Sequence, residues 1–315
     1  MGEECSSGME LALITVKQVV ELFILIISGV ILQKTGVIKN DGKKLLSDIL
    51  IRFVVPCMII NSYMGKFNNE ILDNIGKSFI YSIVLCILGI FISLIASYFV
   101  DTEHKGIFRF ACSFSNAAYM GFPLIRALFG EEGILYASSY VTVFNILLWT
   151  VGYVFFADRM SYKKLFKNLI TCPPIIAVVV GLIIYLFRIP VADVIAEPIN
   201  SVGAMTTPLS MIITGVTIAE AGVVKLLKKK NISFALFVRL LLIPVISLFV
   251  FYIFNINGIV ATITLILEAC PAAAITTMFA IEHDRDQEYA AGLVVISTVL
   301  SIITLPIYVY IIGLV

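Results

Sequence analysis

Apolar windows of about 20 residues, enough to cross a hydrocarbon core roughly 30 Å thick, recur from one end of this chain to the other. In lipid each such window must satisfy its own backbone polar groups, which makes it a helix. The spans read near 11–33, 45–64, 75–100, 106–129, 133–157, 170–188, 199–221, 232–254, 259–281 and 288–314. Composition agrees. With 60% hydrophobic and 14% charged residues and a mean hydropathy of +1.04, a 315-residue chain has too little polar surface to cover a soluble globule. The expected fold class is an all-α membrane protein of ten transmembrane helices.

The opening segment MGEECSSGME carries acids and no Lys or Arg. It lacks the basic region of a cleavable signal peptide, so the first helix is expected to stay in the mature protein. Basic residues then set orientation. The loops after helices 1, 3, 5, 7 and 9, with the adjoining helix ends, hold sixteen of the 22 Lys and Arg residues, Arg239 counted among them, against four on the opposite side. Basic loops stay in the cytoplasm, so both termini are expected outside a plasma membrane. The net charge of +1 points to no nucleic-acid partner, and the run Lys225, Lys228, Lys229, Lys230 reads as a cytoplasmic anchor or a contact for anionic lipid.

The six cysteines show no paired spacing for a disulfide framework or a zinc site. His104 and His283 fall at predicted helix ends without metalloprotease spacing and read as solvated loop residues. No metal or cofactor is expected.

One offset recurs. Met58, Ile59, Ile60 match Met211, Ile212, Ile213, and Tyr136, Ala137 match Tyr289, Ala290, both 153 residues apart. That is nearly half the chain and divides ten helices into five and five, so the repeats, 1–157 and 158–315, would insert with opposite orientation. The offset makes helices 4 and 9 partners.

Helix 4 contains SFSNAAYMGFPLI, Ser113 to Ile125, with an Asn, a Gly and a Pro in eight residues. A Pro removes one backbone donor and clashes with the carbonyl four residues back, and Gly121 relaxes the chain, so a break is expected near Tyr119 to Pro123. Helix 9 carries Pro271, three alanines and the Thr276, Thr277 pair. Two such breaks crossing near the midplane would present half-helix N-termini, whose free N–H groups and partial positive charge suit an anion.

Asn116 is the first candidate contact, since its amide both donates and accepts. Tyr140 and Asn145 on helix 5 read as cavity-lining groups or as hydrogen bonders between helices. Ser113, Ser115, Tyr119, Thr276 and Thr277 are further polar candidates, with Gly121, Pro123 and Pro271 shaping the backbone. Glu268, tenth in its span and near mid-bilayer, is expected to carry a coupling proton, to ligate sodium, or to make a structural ion pair. Lys17 with Glu21, and Asp48 with Arg52, are i, i+4 pairs that neutralise one helix face, with Arg52 also placed to assist an anion.

The stretch FSNAAYMGFPLIRALFGEEGILYASSYVTVFNILLW, with Asn116, Met120, Gly121, Phe122, Pro123, Phe129 and Gly130 in the family's pattern, resembles the auxin efflux carrier family, as do MFAIEH and the LPIYVYIIG ending. That family includes the plant PIN-formed carriers and bacterial malate or malonate permease-type carriers. The resemblance implies two inverted five-helix repeats akin to sodium/proton antiporter and bile acid symporter folds, and a substrate site where broken helices 4 and 9 cross. It also implies a scaffold of helices 1, 2, 6 and 7, a transport unit of helices 3, 4, 5, 8, 9 and 10, and a homodimer. Cys172, Pro173, Pro174 stand where plant carriers have Asn-Pro-Asn, and Thr276 where their helix 9 has Pro, departures that speak against auxin itself as the substrate and favour a compact prokaryotic member of the family.

The expected function is secondary active transport of a small organic anion, auxin-like or malate-like, by an elevator or rocking movement, driven by voltage, protons or sodium. No P-loop signals ATP use. An intramembrane hydrolase would need a convergent catalytic pair, which the sequence does not offer, so the chain reads as no enzyme. A sensor on a transporter fold and a sodium-coupled symporter for a bulkier anion are the alternatives.

Overall fold

The computed structural model describes residues 2–65, 68–156, 167, 170–220 and 231–313. The basic run Lys225 to Lys230 and the loop residues Arg159, Lys163 and Lys164 lie outside the described residues. Among the described residues every regular element is helical: α1 (Gly2–Lys34), α2 (Asn40–Ile49), α3 (Val55–Tyr63), α4 (Asn69–Ala96), α5 (Lys105–Ser113), α6 (Phe122–Leu147), α7 (Tyr153–Phe156), α8 (Pro173–Leu186), α9 (Asp193–Ala204), α10 (Thr206–Glu220), α11 (Ile232–Phe237), α12 (Ile243–Ile253), α13 (Ile259–Ala269), α14 (Ile275–Glu282) and α15 (Gln287–Ile312).

Among the described residues, seven stretches are long and apolar enough to cross a membrane, and Pro173–Leu186 and Ile259–Ala269 are shorter apolar helices. Their outer faces carry large apolar side chains such as Ile24, Phe91 and Phe249, 58–61% exposed. Bare apolar surface on this scale suits lipid and would be a liability in water. The protein is an all-α, multi-pass membrane protein.

Among the described residues four wide helical turns, Leu50–Val54, Ala117–Gly121, Leu148–Gly152 and Val238–Leu242, adjoin the α-helices. Three of them end two residues before a proline, Pro56, Pro123 or Pro244. The pattern has a cause. A proline ring collides with the carbonyl of the preceding turn and leaves it without a donor, and widening that turn relieves both without ending the helix.

Pro123 therefore does not break its helix, contrary to the expectation of a break at Tyr119 to Pro123. The chain is extended at Phe114, restarts as a wide turn at Ala117 and continues through Phe122 into α6. Gly121 serves close packing rather than slack, since a Cβ there would stand 2.5 Å from the Leu267 side chain. In the partner helix Pro271 does act as a stop. Cys270, the residue before it, is extended at φ −60°, ψ 154°, as steric conflict with a following proline demands.

Gly130, at φ 62°, ψ −152°, divides α6 into two helices. Only a residue without a Cβ takes that conformation without strain. Helix α1 lies along α10 and α15, α3 against α8 and α9, and α4 against α6 and α13. The α1–α10 contact is backbone-close, because a Cβ on Gly29 would meet the Ile212 carbonyl oxygen at 2.2 Å and one on Gly215 the Ile26 carbonyl oxygen at 2.0 Å. Small residues that let backbones touch are the usual means of helix association in lipid.

Candidate functional site

Two interrupted helices meet in the protein's interior. Ser115 and Ala272 form an isolated antiparallel bridge. The Asn116 N–H donates to the Pro271 carbonyl at 2.7 Å and the Ala273 N–H to the Phe114 carbonyl at 2.9 Å. The Ala272 N–H donates to Ser297 Oγ at 3.1 Å. Backbone groups freed by each break are thus satisfied largely by the other break, as non-helical chain at membrane depth requires. After the crossing the chain turns helical again at Ala117 and Ile275, and at the second restart the Thr276 and Thr277 N–H groups donate to the Ala273 and Ala274 carbonyls at 3.0 and 3.4 Å.

A cavity of about 400 Å³ lies against these restarts, lined by Ser115, Asn116, Ala118, Tyr119 and Ala273 to Ile275. Its walls are mostly apolar and aromatic, with Val55, Phe144, Leu148, Trp149, Met278 and Phe279, and its lining also includes Asp48, Arg52 and Thr171 to Pro174. Arg52 donates from Nε to Asp48 Oδ1 at 3.2 Å with its side chain 74% exposed, so its charge reaches the mouth rather than the floor. Asp48–Arg52 and Lys17–Glu21, the latter at 3.9 Å, form at the spacing expected of them.

Of the sequence-predicted residues, Ser115, Asn116, Tyr119 and Asn145 line the cavity. Asn116 is 3% exposed, accepts from the Met120 and Gly121 N–H groups through its carbonyl, and makes no side-chain cap. Asn145 donates to the Val141 carbonyl at 2.8 Å.

Other candidates sit elsewhere. Ser113 pairs with Ser93 at 2.6 Å, away from the cavity. Thr276 donates to the Ala273 carbonyl at 2.6 Å, and the Thr277 hydroxyl is buried with no partner among the described residues. Gly121, Pro123 and Pro271 shape the backbone and are not on the cavity wall.

Tyr140 and Glu268 belong to a fully buried cluster behind the crossing. Tyr140 donates to Glu268 Oε2 at 2.5 Å and its oxygen lies 3.2 Å from Ser115 Oγ. Arg239 Nη1 lies 3.3 Å from Glu268 Oε1, with both side chains at most 2% exposed. The structure corrects the placement of Arg239 at a cytoplasmic helix end, which removes it from the loop-charge tally. The available signal was its position, seven residues inside the described helix that starts at Ile232. The histidines are not free loop residues either. His104 packs at a tilt against Tyr289 with ring centres 4.4 Å apart, and His283 stacks on Phe156 at 5.7 Å.

A second polar group gathers around the Gly130 turn. Arg126 Nη2 pairs with Glu131 Oε1 at 2.5 Å, and Asn61 Nδ2 reaches Glu131 Oε2 at 3.4 Å and Asn200 Oδ1 at 3.3 Å. These contacts tie the Gly130 turn to α3 and α9.

Apolar helices in lipid, two of them interrupted and crossed beside a largely apolar cavity with a few polar groups, are the build of a membrane transport protein. Residues 14–309 match the family described as membrane transport protein. The chain belongs to that family, the auxin efflux carrier family its helix 4 motif resembles. It is 22% identical over 296 residues to an uncharacterized transporter of Methanothermobacter thermautotrophicus, covering 92% of this chain and 96% of that one. A second uncharacterized transporter, from Methanocaldococcus jannaschii, is 22% identical over 303 residues, covering 91% and 95%. A third, from Schizosaccharomyces pombe, is 22% identical over 154 residues, 42% of this chain and 34% of the relative.

Proposed function

We propose that this transporter carries a small organic anion, most simply a carboxylate, through the crossing by alternating access. One observation carries the reading: the cavity of about 400 Å³ has Asn116 and the restart of α14 on its wall and Arg52 at its mouth. Helix N-termini attract anions without a buried cation. The mainly apolar wall favours a monocarboxylate with an apolar body over a dicarboxylate, whose second charge would find no partner there.

Counting α5 with the helix up to Gly130 as one interrupted span, and α13 with α14 as another, gives ten spans. The helix ends at Ser113 and Ala269 lie within three residues of the 153-residue offset, which supports two inverted repeats. We read helices 1, 2, 6 and 7 as the scaffold of an elevator-type carrier in the cell membrane. The basic ends are then cytoplasmic, both termini are outside, and two copies form a dimer. The cavity rim lies near the basic ends while the Arg126 cluster closes the others, as an inward-open state requires.

The test is current from reconstituted protein on a supported membrane, with a panel of mono- and dicarboxylates at two pH values, with and without sodium. Asn116→Ala is expected to abolish a current that wild type shows, and the ion dependence identifies the coupling. Electroneutral exchange is checked by labelled uptake, and silence in both assays would sink the carrier reading of substrate. Trp149, the sole tryptophan, lies on the cavity wall. Carboxylate titration should therefore change its fluorescence saturably, with affinity lowered at least about tenfold in Asn116→Ala, the scale of one lost hydrogen bond to a charged group.

The closed end gives a smaller effect. Arg126 and Glu131 are 23% and 44% exposed, and such pairs contribute at most about 1 kcal/mol. Arg126→Ala should raise labelling of a Val55→Cys reporter, by a maleimide added from the Arg126 side, only about three- to fivefold. An unchanged rate would mean the cluster does not hold that end shut.

A further inference from the structure

Arg239 does more than neutralise Glu268. It sits in the wide turn Val238–Leu242, is 1% exposed, and its guanidinium makes five hydrogen bonds, four of them to backbone. Nη1 donates to the Cys112 carbonyl at 2.8 Å. Nε and Nη2 donate to the Cys270 carbonyl at 3.1 and 2.9 Å, and Nη2 donates also to the Glu268 carbonyl. These carbonyls lie at the last turns of α5 and α13. There a helix leaves its final carbonyl groups unpaired and carries the negative end of its dipole.

We propose that Arg239 is the positioning residue of the crossing. One guanidinium caps the C-terminal ends of both interrupted helices, with Glu268 as its fixed counter-ion, and so sets where the two restarting half-helices face the cavity. A planar fork of five donors can reach both helix ends at once, whereas the single ammonium of a lysine cannot. Gly89 leaves room for the carboxylate, since a Cβ there would stand 3.0 Å from Glu268 Oε1. Protonating Glu268 would leave the guanidinium without its counter-charge in a dry interior, so Glu268 holds Arg239 rather than ferrying a coupling proton. From Glu268 the contacts run through Tyr140 to Ser115 on the cavity wall.

Cys112 and Cys270, both 0% exposed, stand at the capped ends and report on the clamp without any substrate. Purified full-length protein is treated with N-ethylmaleimide and alkylation at each cysteine is followed by mass spectrometry. Folded Arg239→Lys is expected to alkylate at Cys112 and Cys270 at least about tenfold faster than wild type, as local opening exposes them, with Cys172 at the start of α8 unchanged. Glu268→Gln keeps the four backbone bonds and should leave both thiols slow.

Slow thiols in folded Arg239→Lys would overturn the proposal. So would a Glu268→Gln variant that reacts as fast, because the ion pair and not the carbonyl capping would then hold the crossing. Should Arg239→Lys fail to fold, the Glu268→Gln rates decide alone: slow supports, fast overturns.

A second arm rests on the crossing being the carboxylate site. Arg239→Lys is expected to weaken carboxylate binding at Trp149 about tenfold, and Glu268→Gln to keep the wild-type pH dependence. Loss of that dependence would overturn the counter-ion role. A wild type that answers no carboxylate fails the transport reading only, and the alkylation result stands by itself.

Discussion

Arg239→Met is expected to destabilise the folded protein by about 3–5 kcal/mol, the usual cost of removing one partner from a buried ion pair. Glu268 would be left charged in an interior where it is 0% exposed, still bonded to Tyr140 but without a counter-charge. The carbonyls of Cys112, Glu268 and Cys270 would lose their donor at the same time. The double variant Arg239→Met with Glu268→Gln separates the two losses. It removes the stranded charge but not the orphaned carbonyls, so it should recover part of the stability and not all of it. Circular dichroism through a thermal scan in mild detergent, at one fixed scan rate because unfolding is often irreversible, gives the comparison. A loss under about 1 kcal/mol for Arg239→Met would place the residue among surface-like pairs and contradict its burial.

Gly215→Val should be comparably severe for a different reason. A Cβ at Gly215 would stand 2.0 Å from the Ile26 carbonyl oxygen and 2.9 Å from the Gly29 Cα. Both obstacles are backbone, so no rotamer change can make room and α1 must move off α10. Overpacking of a well-fitted contact costs about 1–3 kcal/mol and occasionally more, and a rigid obstacle puts this site at the upper end. Gly29→Val, which meets the Ile212 carbonyl, should behave alike. Gly76→Ala is the control: nothing lies within 4 Å of a Cβ there, and in the middle of α4 the exchange should stabilise by roughly 0.5–1 kcal/mol. Equal effects at Gly76 and Gly215 would show that helix propensity, not helix contact, governs these positions.

Particular residues show how far the sequence could be read. The i, i+4 pairs Asp48–Arg52 and Lys17–Glu21 depend on the pitch of one helix, and they form. Asn116 stood out as a polar residue beside a helix-weakening motif, and it lies at the crossing on the cavity wall. The break itself was displaced by several residues. The extended segment Phe114 to Asn116 makes the interruption that the sequence points to at Pro123, while the proline is absorbed by the wide turn before it. Ser113 has the same chemistry as Ser115 two residues away, yet one meets Ser93 and the other Tyr140 and the cavity. Where a side chain faces near a break follows from the partner strand, and no helical period supplies it.

The sequence by itself determined the solvent and the all-helical class, because transfer free energy and hydrophobic run length are local properties of the chain. Only the tertiary structure decided what those motifs meet. Arg239, Cys112 and the Glu268 to Cys270 turn are far apart in sequence, and their union depends on three helices arriving at one point in the interior. The aromatic wall of Phe144, Trp149 and Phe279 reads in sequence as ordinary apolar helix, and it encloses a cavity only once α6, the turn Leu148–Gly152 and α14 face one another. Burial fixes which residues avoid water or enter lipid, whereas hydrogen-bond geometry, short in range and strict in angle, fixes which of them touch.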